Sequence, residues 1–290
     1  MTKEKKERLF IFGGLAIALI EVIVIGTILI VNALGSGKAP AVTPTTPVTT
    51  VTEATTVVTE PPLPMNGFSP EDFLMVDGFM TCTAADYMIG IDVSSHQGVI
   101  DWKQVKEAGV QFVIIRLGGR GYGEEGNLFR DDMAQRNYEG AKENGLLVGG
   151  YIFSQALNEE EAVEEAQLAL EMTQGWELDL PIAFDWEFLH FEARTDEMYD
   201  GPITDCAIAF CETLKAAGVQ PMLYTGLYVK TLRLEEVLDY PMWLALYTDT
   251  MSYDYWMSFW QYSCTGKVPG INTDVDLNIY LPNQYPFSTQ

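Results

Sequence analysis

Two carboxylic acids stand two residues apart in the run PIAFDWE, Asp185 and Glu187, and two more, Asp92 and Asp276, fall in the runs IGIDVS and VDLNIY. Side chains alternate sides along a strand, so Asp185 and Glu187 share one face and Trp186 takes the other. Carboxyls crowded on one face raise one another's pKa, and a raised acid can hold a proton near neutral pH. Cleavage of a glycosidic bond uses that asymmetry: one carboxylic acid protonates the leaving oxygen while one carboxylate stabilises the charged sugar. The structural alternative is that Asp185 or Glu187 simply pairs with Arg116. Four strand-borne acids facing one arginine are not balanced, and the pattern points to chemistry.

The elements that must hold these acids can be read from residue 89 onward. Short apolar runs alternate with amphipathic ones. The strand candidates are 89–94, 112–118, 147–153, 181–187, 221–226, 241–247, 259–263 and 275–280, with helical segments near 101–108, 127–143, 158–174, 203–217 and 228–238. Gly109, Gly145 and Gly218 sit where helices should stop before the next strand, since glycine accepts a left-handed backbone at no steric cost. Strands separated by helices predict an α/β fold, a TIM-like parallel β/α barrel with eight strands and incomplete helices in the last third. A doubly wound open sheet is the competitor, but no Gly-rich dinucleotide loop follows the first strand. In a barrel, function gathers at the C-terminal strand ends. Asp92 lies near the end of the first run, Asp185 and Glu187 end the fourth, and Asp276 lies near the start of the eighth.

Aromatic residues accompany the acids: Tyr122, Tyr151, Tyr224, Trp243, Tyr247 and Trp260 are expected around the same mouth. Flat rings suit the C–H faces of sugars, although an aromatic in a barrel strand also serves as core.

The rest of the chain bounds where this chemistry would occur. Residues 1–8 are basic on balance, residues 9–34 form an apolar stretch broken by one acid, Glu21, and residues 35–65 are rich in Pro, Thr and Val. About 20 apolar residues cross a bilayer as a helix, and flanking Lys and Arg keep that end in the cytoplasm. The expectation is a cytoplasmic tail (1–8), an uncleaved single-pass anchor (9–34), an extended, disordered stalk (35–65), a lead-in segment (66–88) and a monomeric catalytic domain (89–290) outside the cell, facing the wall. A cleaved signal peptide is the alternative, but its apolar core would be shorter. The formal net charge of −24 falls almost wholly beyond the stalk, which argues against nucleic-acid partners but not against an uncharged sugar polymer. Cys82, Cys206, Cys211 and Cys264 allow three disulfide pairings; Cys206 and Cys211, five apart on a predicted helix, are too distant to bridge. His96 and His190 are the only histidines and have no close Cys/His spacing, so neither a metal nor a cofactor is expected. His96 reads as structural.

The segments GIDVSSHQGVIDW (90–102), FDWE (184–187), WQYS (260–263) and VDLN (275–278) resemble, in order and spacing, the signature runs of glycoside hydrolase family 25, the Chalaropsis-type lysozymes or N-acetylmuramidases. The resemblance spans roughly residues 89–282. It implies cleavage of the β-1,4 bond from N-acetylmuramic acid to N-acetylglucosamine in the peptidoglycan glycan strand. By position, Glu187 would be the general acid and Asp185 would stabilise the transition state, directly or by orienting the substrate's acetamido group. Asp92 and Asp276 would tune charge and hold the sugar. Arg116, Tyr122, Tyr151, Tyr224, Trp243 and Gln261 would line the groove. One departure is GGYIFS, with Ile152 where the family commonly has histidine; its alternation away from Tyr151 marks it as a packing position. The competing functions are a non-catalytic wall-glycan binding module and a related barrel glycosidase acting on chitin-like chains.

Overall fold

A computed structural model describes residues 65–282 apart from 190–192, 197, 199–200, 227–231, 233 and 238. The expected tail, anchor and all but the last residue of the stalk lie outside the described residues, as does His190. No helix among the described residues is long and apolar enough to cross a membrane.

The strands are β1 (Phe73–Val76), β2 (Phe79–Cys82), β3 (Met88–Val93), β4 (Phe112–Arg120), β5 (Leu128–Arg130), β6 (Leu147–Ser154), β7 (Ile182–Trp186), β8 (Pro221–Gly226), β9 (Met242–Ala245), β10 (Phe259–Gly266) and β11 (Val275–Tyr280). The described helices are α1 (Trp102–Glu107), α2 (Ala134–Glu143), α3 (Glu159–Met172), α4 (Gly201–Ala216) and α5 (Leu234–Val237). The nine-stranded sheet runs β3-β11-β10-β9-β8-β7-β6-β4-β5, and β3 also pairs with β4. That extra pairing closes the sheet and leaves β5 as an appendage, so the barrel has the eight strands expected. All eight strand candidates are present.

Four local features differ from the sequence reading. The barrel is not wholly parallel, because β11 runs antiparallel to both β10 and β3. The link 267–274 is shorter than the dozen or so residues that a parallel crossover needs, so the chain turns back instead. The start of β11 therefore meets the end of β3, and Asp276 pairs in register with Asp92. The predicted helix 127–143 is really two elements, with β5 adding to the edge of β4 before α2 begins. The lead-in segment forms the antiparallel hairpin β1–β2, turning at Asp77-Gly78, where both residues have positive φ. Met65, at the end of the expected stalk, bridges to Tyr255.

Helix ends follow the sequence. Asp101 caps α1 by accepting from Gln104 N, and Asn158 caps α3 by accepting from Glu161 N. Such caps satisfy donors that the helix itself leaves open. Gly109, Gly145 and Gly218 all adopt the left-handed conformation expected of helix stops.

The core has an inside and an outside. Within the barrel, Phe112, Ile114, Leu180, Ala183, Met222, Tyr224, Trp243 and Phe259 form one cluster. Its foot is closed by Phe259 stacked on Tyr280, with Phe112 edge-on to both. A Cβ at Gly90 would come within 2.2 Å of the Phe112 ring, so that glycine makes room for the plug. Outside, two further clusters pack helices and the β1–β2 hairpin against the sheet. Cys82, Cys206, Cys211 and Cys264 are thiols, with Cys206 and Cys211 buried on α4. The rings of Phe112, Phe259 and Tyr280 fill the foot, and the acids lie toward the opposite end of the barrel.

Candidate active site

At that end the pleat turns the acids inward. Asp185 pairs in register with Tyr224, which pairs with Trp243, so the three point to the same side of the sheet. Trp186 faces outward, buried among the α3 and α4 side chains, as the alternation predicts. Ile152 is likewise fully buried in that outer layer, which makes it the packing position expected.

Asp92 is the best-held of the acids. Its Oδ2 accepts from Gln261 Nε2 and from Asn278 Nδ2, both at 2.8 Å. Those amides are oriented in turn: Trp243 Nε1 donates to Asn278 Oδ1 at 2.8 Å, and the hydroxyls of Tyr224 and Tyr247 donate to Gln261 Oε1 at 2.8 and 3.0 Å. Burial disfavours the charged form and outweighs these hydrogen bonds, raising Asp92 to about 6.

Asp185 is 6% exposed, and its Oδ1 takes no hydrogen bond within the described residues. Burial first, then the charges of Glu187 and Asp92, hold its pKa well above the usual carboxylate range, with Arg116 opposing. Burial also raises Glu187; a hydrogen bond with Tyr224 pulls it back and the charge of Asp92 adds to the rise. Asp276 is raised by burial and then by Asp92 and Glu187. Four inward acids thus interact, each leaning toward its neutral form.

The groove residues divide three ways. Tyr151, Tyr224, Trp243 and Gln261 join the acids. The Trp243 ring stands edge-on to both Tyr151 and Tyr224, and the Tyr151 hydroxyl feels Arg116, Asp92, Asp185 and Asp276. Arg116 lies at the edge, gripped by Asp131 through Nε and Nη2, both at 2.8 Å, rather than by Asp185 or Glu187. Tyr122 sits in the link from β4 to β5, 40% exposed, its carbonyl accepting from Arg194 N. Trp260 is a correction. It is fully buried on the outside of the barrel, edge-on to Phe73, with Nε1 donating to Leu246 O at 2.8 Å. Period-two alternation places it opposite Gln261, so both could not face the mouth. Sequence reasoning gave no role to Asn278, although its spacing from Asp276 puts it on the same face, nor to Asp131.

A β/α barrel plugged at the foot and lined at its mouth by interacting carboxyls, amides and aromatic rings is the architecture of a glycoside hydrolase. Residues 91–271 match the sequence profile of glycosyl hydrolases family 25, and the chain belongs to that family. It is 30% identical over 216 residues to the uncharacterized protein YegX of Escherichia coli K12, covering 71% of this chain and 74% of that one. It is 31% identical over 194 residues to the autolytic lysozyme of Clostridium acetobutylicum, covering 66% of this chain and 55% of the relative. Among solved structures, the modular autolysin LytC from Streptococcus pneumoniae is similar with a TM-score of 0.60 and 25% identity, over 72% of this chain and 52% of LytC, so this chain spans about half of that protein. The bacterial lysozyme from Streptomyces coelicolor is similar with a TM-score of 0.55 and 27% identity, over 68% of this chain and 93% of the relative.

Proposed function

We propose that this enzyme is a lysozyme of the muramidase type, hydrolysing the β-1,4 bond between N-acetylmuramic acid and N-acetylglucosamine in peptidoglycan. The observation that carries the reading is the cluster of four inward acids, none of which forms an ion pair among the described residues, with Arg116 paired to Asp131 instead. Relatives named lysozyme support the choice of substrate.

Glu187 is the general acid. It is half-buried at the strand end, and burial keeps its proton available for the departing glycosidic oxygen. Asp185 stabilises the positive charge that develops on the sugar as the bond breaks. Each proton taken by Asp92 or Asp276 relieves repulsion on the pair, so these two set how much charge the mouth carries. Tyr151, Tyr224 and Trp243 offer ring faces, and Gln261 with Asn278 fixes Asp92. Glu187 then recovers its proton from the water that completes hydrolysis.

Digestion of purified peptidoglycan followed by mass analysis of the fragments tests the reaction. Reducing N-acetylmuramic acid ends are expected; reducing N-acetylglucosamine or anhydro ends would overturn it. The apolar run 9–34 with its basic flank supports a membrane tether, and the Pro/Thr-rich 35–65 supports a stalk that gives the barrel reach to the wall. Release of the full chain from membranes by alkaline carbonate would refute the tether.

A further inference from the structure

Asp131 lies outside the acid cluster, yet it is tied to the residue best placed to neutralise that cluster. Its side chain is fully buried. Oδ2 accepts from Arg116 Nε at 2.8 Å and from Ser95 N at 2.9 Å, while Oδ1 accepts from Met133 N at 2.9 Å. Arg116 Nη2 also donates to Ser95 Oγ at 3.0 Å, and its guanidinium lies 5.7 Å from the Phe129 ring centre. Three elements therefore meet on one carboxylate: the loop after β3, strand β4 and the loop after β5. Arg116 is paired in register with Tyr151, whose hydroxyl sits among the acids. Asp131 is the only carboxylate in ion-pair contact with Arg116 among the described residues, so without it the guanidinium keeps only the Ser95 hydroxyl and the Phe129 ring as holds away from Asp185.

We propose that Asp131 is a positioning residue that, by gripping Arg116 through both Nε and Nη2, limits how much of its positive charge reaches the acid cluster and so sets the pH range in which the cluster works. The inference rests on the proposed reaction. The groups facing the cluster are Asp92 from β3, Arg116 from β4, Tyr151 from β6, Asp185 and Glu187 from β7 and its end, and Tyr224 from β8. Tyr247 follows β9, and Asp276 comes from β11 with Asp274 beside it. His96 borders the Arg116–Asp131 pair and feels both charges. Lys267 is taken up by Asp274.

Catalysis needs one proton and one negative charge shared between Asp185 and Glu187, so activity is bell-shaped: the acidic limb marks gain of the pair's second proton and the alkaline limb loss of its last. Asp131→Asn removes one negative charge next to Arg116. A more positive surrounding favours both carboxylates, and both limbs should move to lower pH by on the order of 0.5–1 unit. Arg116→Gln makes the surroundings more negative and should move both limbs to higher pH. The double variant loses one charge of each sign and should bring both limbs back toward their original positions, whatever its absolute rate.

The experiment is the pH profile of kcat/KM on soluble peptidoglycan fragments for the full chain and these three variants, with thermal midpoints measured alongside. If the original chain does not cleave peptidoglycan, the proposed reaction fails. If it cleaves but the normalised limbs superimpose in Asp131→Asn, the inference is overturned and Asp131 only holds the fold. Should Asp131→Asn not fold, Arg116→Gln decides alone, and limbs that stay in place refute the proposal. Repeating the profiles with His96→Gln shows whether the imidazole causes the shift; a shift that vanishes there would also overturn the assignment.

Discussion

Two groups of acids in this barrel have opposite surroundings. Beside α3, Arg120 donates from Nε to Glu165 at 3.0 Å and from Nη2 to Glu164 at 2.8 Å, while Nη1 and Nη2 reach the carbonyls of Gly126 and Glu161 at 2.9 Å. Arg194 donates to Glu161 Oε1 at 2.8 Å. At the mouth, Asp92, Asp185, Glu187 and Asp276 have amide and hydroxyl partners and each other, with Arg116 held by Asp131. Pairing pulls Glu161 below its ordinary value despite desolvation, although burial still drives Glu165 up to about 7. At the mouth all four acids rise. Compensated acids brace a fold, whereas uncompensated ones hold free energy that only a substrate or a proton can release.

The sharpest break between the groups is Glu187→Gln. It removes the proton donor while keeping shape, so kcat on peptidoglycan should drop by about 10³-fold or more, with glycan binding retained and the thermal midpoint no lower than before. Residual activity within tenfold of the original would reassign the acid. Next comes Arg120→Met in the compensated group. Removing one partner of a buried charge cluster costs about 3–5 kcal/mol, read as a lower denaturation midpoint. Because Glu165 titrates near 7, the loss should be larger at pH 8, where that acid is ionised without its partner, than at pH 5. A loss independent of pH would show that Arg120 acts through Glu161, Glu164, the backbone carbonyls and packing rather than through Glu165. Since Arg194 N also donates to Tyr122 O at 2.9 Å, loosening this network reaches Tyr122, but kcat should fall far less than in Glu187→Gln.

The strands and the site were legible for the same reason: period-two alternation marks both what is buried and which side each acid faces. It told Trp186 from Asp185 correctly, and applied to Gln261 it would have removed Trp260 from the mouth. Direction is another matter. A run such as VDLNIY reads the same parallel or antiparallel, and only the short link before it shows that β11 turns back. The β1–β2 hairpin did leave a signal, since Asp-Gly between apolar runs is a strong mark of a tight turn. Strand β5 left none, because three residues cannot establish a period. Nor could Arg116's partner be read, since Asp131 lies 15 residues away and only the closed barrel brings the two together.

Within the uncompensated group, Asp92→Asn tests whether burial stores energy there. An unfolded aspartate titrates near 3.9, whereas Asp92 titrates at about 6 in the fold. Between those values the folded chain holds the proton more tightly. The favourable contribution is therefore complete below about pH 4 and disappears as pH rises through 6. Stability measured by denaturant should fall from pH 4 to pH 7 by on the order of 2–3 kcal/mol more in the original chain than in Asp92→Asn. That difference contains the coupling of Asp92 to Asp185 and Asp276. Parallel pH curves would mean that the amides of Gln261 and Asn278 stabilise the carboxylate fully, and the contrast with Glu161 would disappear.

The smallest effect is expected where the mouth meets solvent. Tyr247 is 43% exposed, and its hydroxyl donates to a Gln261 oxygen that already accepts from Tyr224. Tyr247→Phe deletes one of two donors to the same acceptor and leaves nothing buried without a partner. The cost should stay near 1 kcal/mol or below. A rim ring that binds sugar equally before and during reaction affects KM and leaves kcat alone. Tyr247→Phe should therefore raise KM no more than about fivefold, the ratio that 1 kcal/mol sets, at constant kcat. A drop in kcat instead would show that the tyrosine acts through Gln261 on Asp92, which would extend the acid cluster's supports out to the solvent edge.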